Sequence, residues 1–334
     1  MIYQKRFEKL KMLLIFTNKQ DVHSDEVIRT LYKKGIEVFR LNSEDLLRKY
    51  QINLHIDSNG VWTGQITDEL GRILNLDRLK VAWLRKPEFD FFGRIAESAE
   101  EEFIASETKS FINILYSIPS IRWINDPFIA NKAKVKFQQL LLANKYGIKI
   151  PQTLITTQPE TAKDFFIECG EEVLVKTIYT GNVTIDGLNQ GILSRKIGKD
   201  DFYQFYKTIS LAPTQLQEYV EKAFELRITV IGEKVFAVKI DSQAHEETKV
   251  DWRLYTPMNP HSIFELPAKI EKFCIEFLKE QKLLYGAMDF IVTPNNEYVF
   301  LENNPFGQYL WLEIETKIPL TEAMCDLLIS YLDA

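Results

Sequence analysis

Two apolar runs near the carboxyl end, Met288 to Val292 and Tyr298 to Leu301, flank Asn295-Asn296. Short β-rich segments on either side of a turn dipeptide read as an antiparallel hairpin. A two-residue turn at Asn295-Asn296 sets Asp289 directly opposite Glu302. Opposed side chains in such a ladder have Cβ atoms about 4.5–5.5 Å apart, and like charges there destabilise the sheet. Asn304, two residues beyond Glu302, shares that face if the extended backbone continues. A bound cation is the simplest offset for carboxylates held this close, and all-oxygen donors select Mg2+, Mn2+ or Ca2+ over zinc. An exposed hairpin in another register, with these polar residues solvated, explains the pattern equally well. Phe290, Val292, Val299 and Leu301 favour one buried face, which fixes register without requiring a metal.

The chain has 334 residues, and at about 150 residues per domain that predicts two or three domains. Lys plus Arg number 41 against 47 Asp plus Glu, a net charge of −6. An acidic balance argues against nucleic acid as a partner. With 46% hydrophobic and 26% charged residues the chain is globular in composition, which excludes disorder, collagen and a coiled-coil rod. No apolar run approaches the ~20 residues of a membrane span, so no membrane partner is expected. Lys5, Arg6, Lys9 and Lys11 precede Met12 to Phe16, an apolar run too short for a signal peptide. Cys169, Cys274 and Cys325 are too far apart for a disulfide framework or a zinc spacing. The expectation is a soluble, cytoplasmic protein.

Met12–Phe16, a helix over Asp21–Lys34 ending at Gly35, and Ile36–Leu41 predict a parallel strand-helix-strand crossover. The turn after the first strand, Thr17 to Asp21, has no GxGxxG, which disfavours a dinucleotide site there. Residues 52–66 alternate around Asn59-Gly60 as a hairpin, and Val81–Arg85 reads as a strand. Glu100–Tyr116 reads as an amphipathic helix with Phe103, Ile104, Phe111, Ile112 and Leu115 on one face. Pro119 and Pro127 mark a boundary. Beyond it a helix over Lys134–Tyr146, closed by Gly147, precedes a strand at Val173–Thr177 and a glycine-punctuated stretch through Gly181, Gly187 and Gly191. Strands follow at Leu216–Val220, Leu226–Ile231 and Val235–Ile240, with helices over Pro267–Lys282 and Pro319–Leu332. The pattern predicts an α/β amino-terminal domain followed by α+β structure on antiparallel sheet.

Several polar residues are ordinary when taken singly. Lys176 ends an apolar strand, either as a side chain reaching water or as a phosphate ligand beside the glycines. Lys136 reads as a solvated helix lysine on the face opposite Leu140 and Leu141. Gln217-Glu218-Tyr219-Val220 reads as a strand with a polar face. Glu225 and Arg227 share a strand face, most simply as a surface ion pair of little energetic worth. Arg253 is either a cation over Trp252 or a phosphate ligand.

Their order along the chain is what stands out. Lys136, Lys176, the glycine stretch, Gln217 to Val220, Glu225, Arg227, Asp289, Glu302 and Asn304 follow the order of an ATP-grasp enzyme, and residues 119–334 resemble that superfamily. Asp289-Phe290-Ile291-Val292 with Phe300-Leu301-Glu302-Asn303-Asn304-Pro305 resembles its Mg2+ hairpin most specifically. Trp83-Leu84-Arg85-Lys86-Pro87, Asn125-Asp126-Pro127, Lys239 to Gln243, Asp251-Trp252-Arg253 and Asn304 to Tyr309 extend the resemblance to the graspetide synthetases. These are the microviridin-type and "grasp-with-spasm" peptide maturases, and the likeness to them reaches nearly the whole chain.

The resemblance implies an ATP-grasp fold with an amino-terminal α/β (pre-ATP-grasp) domain over 1–118, in which residues 1–11 read as an extension and Met12 as the more natural start. A central subdomain over 119–212 and a carboxy-terminal subdomain over 213–334 would hold ATP between them. It further implies that Lys136 and Lys176 hold ATP phosphates. Gln217, Glu218, Tyr219 and Val220 would meet the adenine, with Glu225 on the ribose. Asp289, Glu302 and Asn304 would bind Mg2+, and Arg227 and Arg253 would stabilise the transferring phosphoryl group. The implied partner is a ribosomal precursor peptide with leader and core, and a homodimer is left open. No general base is assigned, because none of the four histidines falls in a matching motif. Two alternatives stay open: an ATP-grasp ligase that adds amino acids to a protein or small molecule, and a non-catalytic nucleotide-regulated peptide-binding module.

Overall fold

The computed structural model describes residues 12–89, 91–92, 97–178, 182–185, 188–253 and 260–333. The expected extension, 1–11, and Tyr179, Gly181 and Gly187 of the glycine stretch lie outside them.

Strand β1 (Met12–Thr17), helix α1 (Val22–Lys33) and strand β2 (Glu37–Asn42) make the parallel crossover, with Leu14 paired to Phe39. Gly35 follows α1 at φ 77°, the left-handed conformation that ends a helix most cheaply at glycine. A single turn, α2 (Leu46–Lys49), leads to β3 (Tyr50–Ile56), β4 (Trp62–Asp68) and β5 (Ile73–Asn75), a separate antiparallel sheet containing the expected hairpin. Strand β6 (Val81–Leu84), helix α3 (Ala99–Tyr116) and strand β7 (Arg122–Ile124) complete a parallel sheet in the order β2-β1-β6-β7. The last strand of this sheet, β7, lies in the segment between Pro119 and Pro127. Helix α3 buries Thr108, Ile112, Leu115 and Tyr116, whereas Phe103 and Ile104, expected on the buried face, are exposed.

Helix α4 (Pro127–Ala133) is capped by Asp126, whose carboxylate accepts from the Phe128 and Ile129 amides. Lys134 and an extended Val135 separate it from α5 (Lys136–Lys145), so the helix expected to start at Lys134 begins at Lys136. The central unit follows as β8 (Thr153–Thr156), α6 (Pro159–Glu168), β9 (Val173–Lys176), β10 (Asn182–Ile185), β11 (Leu188–Gly191), β12 (Arg195–Ile197), α7 (Lys199–Phe205) and β13 (Thr214–Glu218). Its antiparallel sheet has the order β12-β9-β13-β8, and β10 and β11 pair only with each other. A small core gathers Ala162, Phe166, Val173, Phe202, Ile209 and Leu216.

The last unit contains β14 (Phe224–Ile231), β15 (Lys234–Ile240), β16 (His261–Ile263), α8 (Ala268–Glu280), β17 (Tyr285–Val292), β18 (Tyr298–Asn304), α9 (Leu310–Thr316) and α10 (Leu320–Leu332). Five antiparallel strands run in the order β16-β15-β14-β17-β18. Helix α8 covers one face, where Phe273 and Phe277 pack against Phe290 and Phe300. Helix α10 packs Leu320, Met324 and Leu328 into the core that holds Val27 and Leu31 of α1, so both chain ends share one core. Among the described residues no helix is long and apolar enough to cross a membrane.

Candidate active site

The hairpin that opened the sequence argument pairs Asp289 with Glu302, and Ala287 with Asn304, but by another route than expected. The turn is not the two-residue Asn295-Asn296. Asn296 N donates to Thr293 O at 2.9 Å, and Thr293 N to Glu297 O at 3.0 Å, which closes a loop over Pro294, Asn295 and Asn296. Pro294 presets φ for the turn, and Asn296 takes the left-handed conformation at φ 59° that such a loop needs. This register alone would offset Asp289 from Glu302. A bulge restores the pair: Phe290 opposes Phe300 and Asp289 opposes Glu302, which leaves Leu301 as the extra residue.

Every position of β17 is buried except Asp289, which is half-buried. Arg227 lies beside it on β14, in register, and its Nη1 donates to Asp289 Oδ1 at 2.8 Å and Oδ2 at 2.9 Å. Arg227 Nη2 donates to Gln308 O at 3.3 Å. Gly307 makes this approach feasible, since a Cβ there would lie 2.3 Å from Ala287 Cβ and 3.0 Å from Arg227 Nη2. On the facing strand Lys136, the first residue of α5, places Nζ 2.7 Å from Glu302 Oε2. The two carboxylates therefore titrate apart. Burial, reinforced by Glu302, raises Asp289 above the usual carboxylate range despite Arg227. Burial also works to raise Glu302, but Lys136, Lys176 and Arg253 outweigh it and the net shift is downward. Asn304 Oδ1 accepts from Phe306 N at 2.9 Å, which turns the chain out of β18.

Lys176 ends β9 and donates to Gln217 Oε1 at 2.7 Å, and Gln217 Nε2 donates to Thr153 Oγ1 at 2.9 Å. Burial lowers the Lys176 ammonium below an ordinary lysine, with Glu302 pulling the other way. The residue is half-buried, with its ammonium held by Gln217. Gln215 and Gln217 are both buried, so the polar face expected of this strand points into the protein. Glu218 accepts from Gln152 N at 3.0 Å, and the Tyr219 ring lies 4.0 Å from Lys196 Nζ. Residues Glu218, Tyr219 and Val220 also line a cavity of ≈ 330 Å³ with Ile150 and Val299.

Glu225 and Arg227 are not a surface ion pair, since they are 6% and 8% exposed and have different partners. Lys222 Nζ donates to Glu225 Oε1 at 2.6 Å and to Val250 O at 3.0 Å. Burial raises the Glu225 pKa and Lys222 opposes it. Arg253 bonds Asp251 through Nε at 2.8 Å and Nη2 at 2.5 Å, which raises its pKa against the effect of burial. Trp252 stacks on Trp311 with ring centroids 5.1 Å apart.

Several contacts were not singled out in the sequence. Gln139 reads the backbone of Asn303, taking Asn303 N on Oε1 at 2.8 Å and donating Nε2 to Asn303 O at 2.8 Å. Its signal was a polar residue on the apolar stripe of α5 beside Leu140 and Ala143. Arg85, 2% exposed, donates to Phe306 O at 2.6 Å. His23 Nε2, on α1, accepts from the Tyr309 and Leu310 amides, both at 3.0 Å, so the amino-terminal unit holds the end of the loop that follows Asn304. Asn125 donates to Pro305 O at 3.1 Å and accepts from the Leu284 and Tyr285 amides. These are long-range contacts that no local pattern contains.

Asp289, Glu302 and Asn304 thus form an all-oxygen set on one sheet face. Among the described residues no group of three His, Cys, Asp or Glu side chains is arranged to hold a metal. Two carboxylates and one carboxamide instead suit Mg2+, which is characteristically bound by one or two carboxylates with phosphate oxygens completing its shell. Lys136, Lys176 and Arg227 supply positive charge around the same pair.

The fold that carries these residues has known relatives. The family model for the RimK-like ATP-grasp domain matches residues 131–328. The chain belongs to this family, a class of ATP-dependent ligases. More particularly, it is similar to the macrocyclase MdnC of Microcystis aeruginosa MRC, solved bound with precursor peptide MdnA, at TM-score 0.84 and 26% identity over 96% of this chain and 99% of that one. A RiPP-associated ATP-grasp ligase of Chryseobacterium gregarium, solved with ADP and a leader and core peptide, matches at TM-score 0.84 and 29% identity, covering 96% of each chain. Among curated proteins, the alpha-aminoadipate–LysW ligase LysX of Sulfurisphaera tokodaii is 24% identical over 203 residues, 57% of this chain. The match spans 65% of that relative's length.

Proposed function

We propose that this chain is an ATP- and Mg2+-dependent ligase that closes side-chain rings in a ribosomally made precursor peptide. The observation that carries the reading is the Asp289–Glu302 pair, flanked by Arg227 and Lys136, in a fold similar over nearly its whole length to peptide-bound macrocyclases.

A carboxylate does not condense with an alcohol or amine in water, because hydroxide is a poor leaving group. In the proposed reaction an Asp or Glu carboxylate oxygen of the peptide attacks the γ-phosphorus of ATP, ADP leaves, and an acyl phosphate remains. A Thr or Ser hydroxyl, or a Lys amine, of the same peptide attacks the acyl carbon. Phosphate leaves, one proton is released, and an ester or amide ring results. Such transfers depend on positioning and charge neutralisation more than on covalent help. Lys136 and Lys176 hold phosphate oxygens. Gln217 to Val220 line the adenine and Glu225 takes the ribose. Arg227, and with it Arg253, offset charge on the transferring group. Asp289, Glu302 and Asn304 hold Mg2+, which when bound neutralises the phosphates. The peptide's leader segment binds outside the cleft. The enzyme works in the cytoplasm, where ATP is available, with a homodimer as the proposed assembly.

Mass spectrometry of a candidate precursor peptide with Thr and Glu or Asp repeats, after incubation with enzyme, ATP and Mg2+, tests the reading. The expected result is loss of one water per ring. A mass gain equal to an amino-acid residue would support the amino-acid-adding reading that LysX exemplifies. An unchanged mass with tight peptide binding would support a binding module.

A further inference from the structure

Strand β18 is the edge of its sheet, and edge strands expose backbone N–H and C=O groups that need partners. At Asn303 that partner is a side chain. The carboxamide of Gln139, 1% exposed, takes Asn303 N on Oε1 at 2.8 Å and returns Nε2 to Asn303 O at 2.8 Å. One carboxamide thus does what a peptide group of a neighbouring strand would do. Nε2 also donates to Ala133 O at 2.6 Å, which anchors the clamp to α4.

Asn303 stands between Glu302 and Asn304. Its own side chain, 3% exposed, has no hydrogen-bond partner among the described residues, so it does not hold the strand in place. Glycine at 286 leaves it room, as a Cβ there would lie 2.4 Å from Asn303 Oδ1. The orientation of this stretch is thus set through its backbone. One turn earlier on the same helix, Lys136 reaches Glu302 at 2.7 Å. Helix α5 therefore grips β18 twice, through a side chain at Glu302 and through the backbone at Asn303.

We infer that Gln139 is a positioning residue that fixes Glu302 and Asn304 toward a divalent cation by clamping the peptide groups between them. This rests on the metal assignment above and deepens it. Without the clamp, β18 can rotate about its axis, and both oxygen donors move together because they share a face.

Gln139→Met keeps the size of the side chain and removes all three hydrogen bonds, and Gln139→Glu removes only the donor. The probe is Mn2+, titrated by electron paramagnetic resonance onto the full chain with ADP present, alongside thermal unfolding and metal-free ADP binding. Partners that orient metal ligands typically contribute about 10–100-fold in metal affinity. Folded variants should bind Mn2+ ~10–100-fold more weakly, with metal-free ADP affinity unchanged and activity partly restored by excess Mg2+. Mn2+ affinity within twofold of the parent in either folded variant overturns the inference, provided that Glu302→Gln loses Mn2+ binding. Parent-like binding by Glu302→Gln as well removes the metal reading and this inference with it. Failure of both Gln139 variants to fold also contradicts it, since Gln139 then serves folding rather than ligand position.

Discussion

The two sheets that face the candidate cleft are built differently. The carboxy-terminal sheet places β14 and β17 at its centre, almost wholly buried, under a face sealed by Phe273, Phe277, Phe290 and Phe300. Its charges are interlocked, Arg227 with Asp289 and Lys136 with Glu302. The central sheet rests on the small core around Phe166 and Phe202, and its lysine, Lys176, has an amide rather than a carboxylate as its close partner. One side is a pre-formed electrostatic site. The other is a cover whose lysine is held at an energetic cost that a phosphate would relieve. The same loss of charge should therefore have opposite structural effects on the two sides.

The largest effect is expected from Asp289→Ala. It strands Arg227 as an uncompensated buried cation, which destabilises by about 3–5 kcal/mol, and product formation should vanish. Denaturant unfolding and product assay check both, and a variant of unchanged stability would break the comparison. Next comes Lys176→Met, which should lower kcat/KM for ATP by about 10²-fold, the scale of losing one charge-stabilising group. Here stability should stay level or rise, because a desolvated charge is removed. A marked loss of stability would mean that Lys176 is interlocked like Arg227.

Gly307→Ala should cost about 1–3 kcal/mol by overpacking, with a lower kcat, because the new Cβ meets Ala287 and displaces Arg227. Paired unfolding and kinetic measurements sharpen how closely the preformed site tolerates movement.

The smallest effect is a pH dependence. Lys176 has a lowered pKa, so it loses its charge at a lower pH than an ordinary lysine. ATP affinity of the free enzyme should begin to weaken below the usual lysine pKa of about 10.4. The unfolded chain binds the proton more tightly than the folded one, so this residue's contribution to stability rises with pH in that window. An alkaline limb that persists unchanged in Lys176→Met would assign it elsewhere.

How far the sequence could be read follows the same division. Strand periodicity located β14, β15, β17 and β18, and the alternation around Asp289 and Glu302 put them on one face. The pairing itself came from a two-residue turn that does not exist. A three-residue loop shifts the register by one, and the bulge at Leu301 shifts it back. The pattern could encode the outcome because burial of Phe290 and Phe300 fixes which residues face inward, whatever the turn does. The central unit was less legible. Strand β8 and helix α6 went unread, since short segments with few apolar residues leave little periodicity. Lys222 and Gln139 were not singled out, and Arg85 was read only as part of a motif, because their partners lie across breaks or domains, where charge type alone gives no address.

The central claim is that ATP is consumed to activate a peptide carboxylate at the Asp289–Glu302 site. The most direct measurement is the ratio of ADP formed to water lost from the peptide, compared between the parent enzyme and Glu302→Gln. The account predicts one ADP per water lost in the parent and neither product in the variant. Water loss without matching ADP, or undiminished coupled turnover in Glu302→Gln, contradicts it.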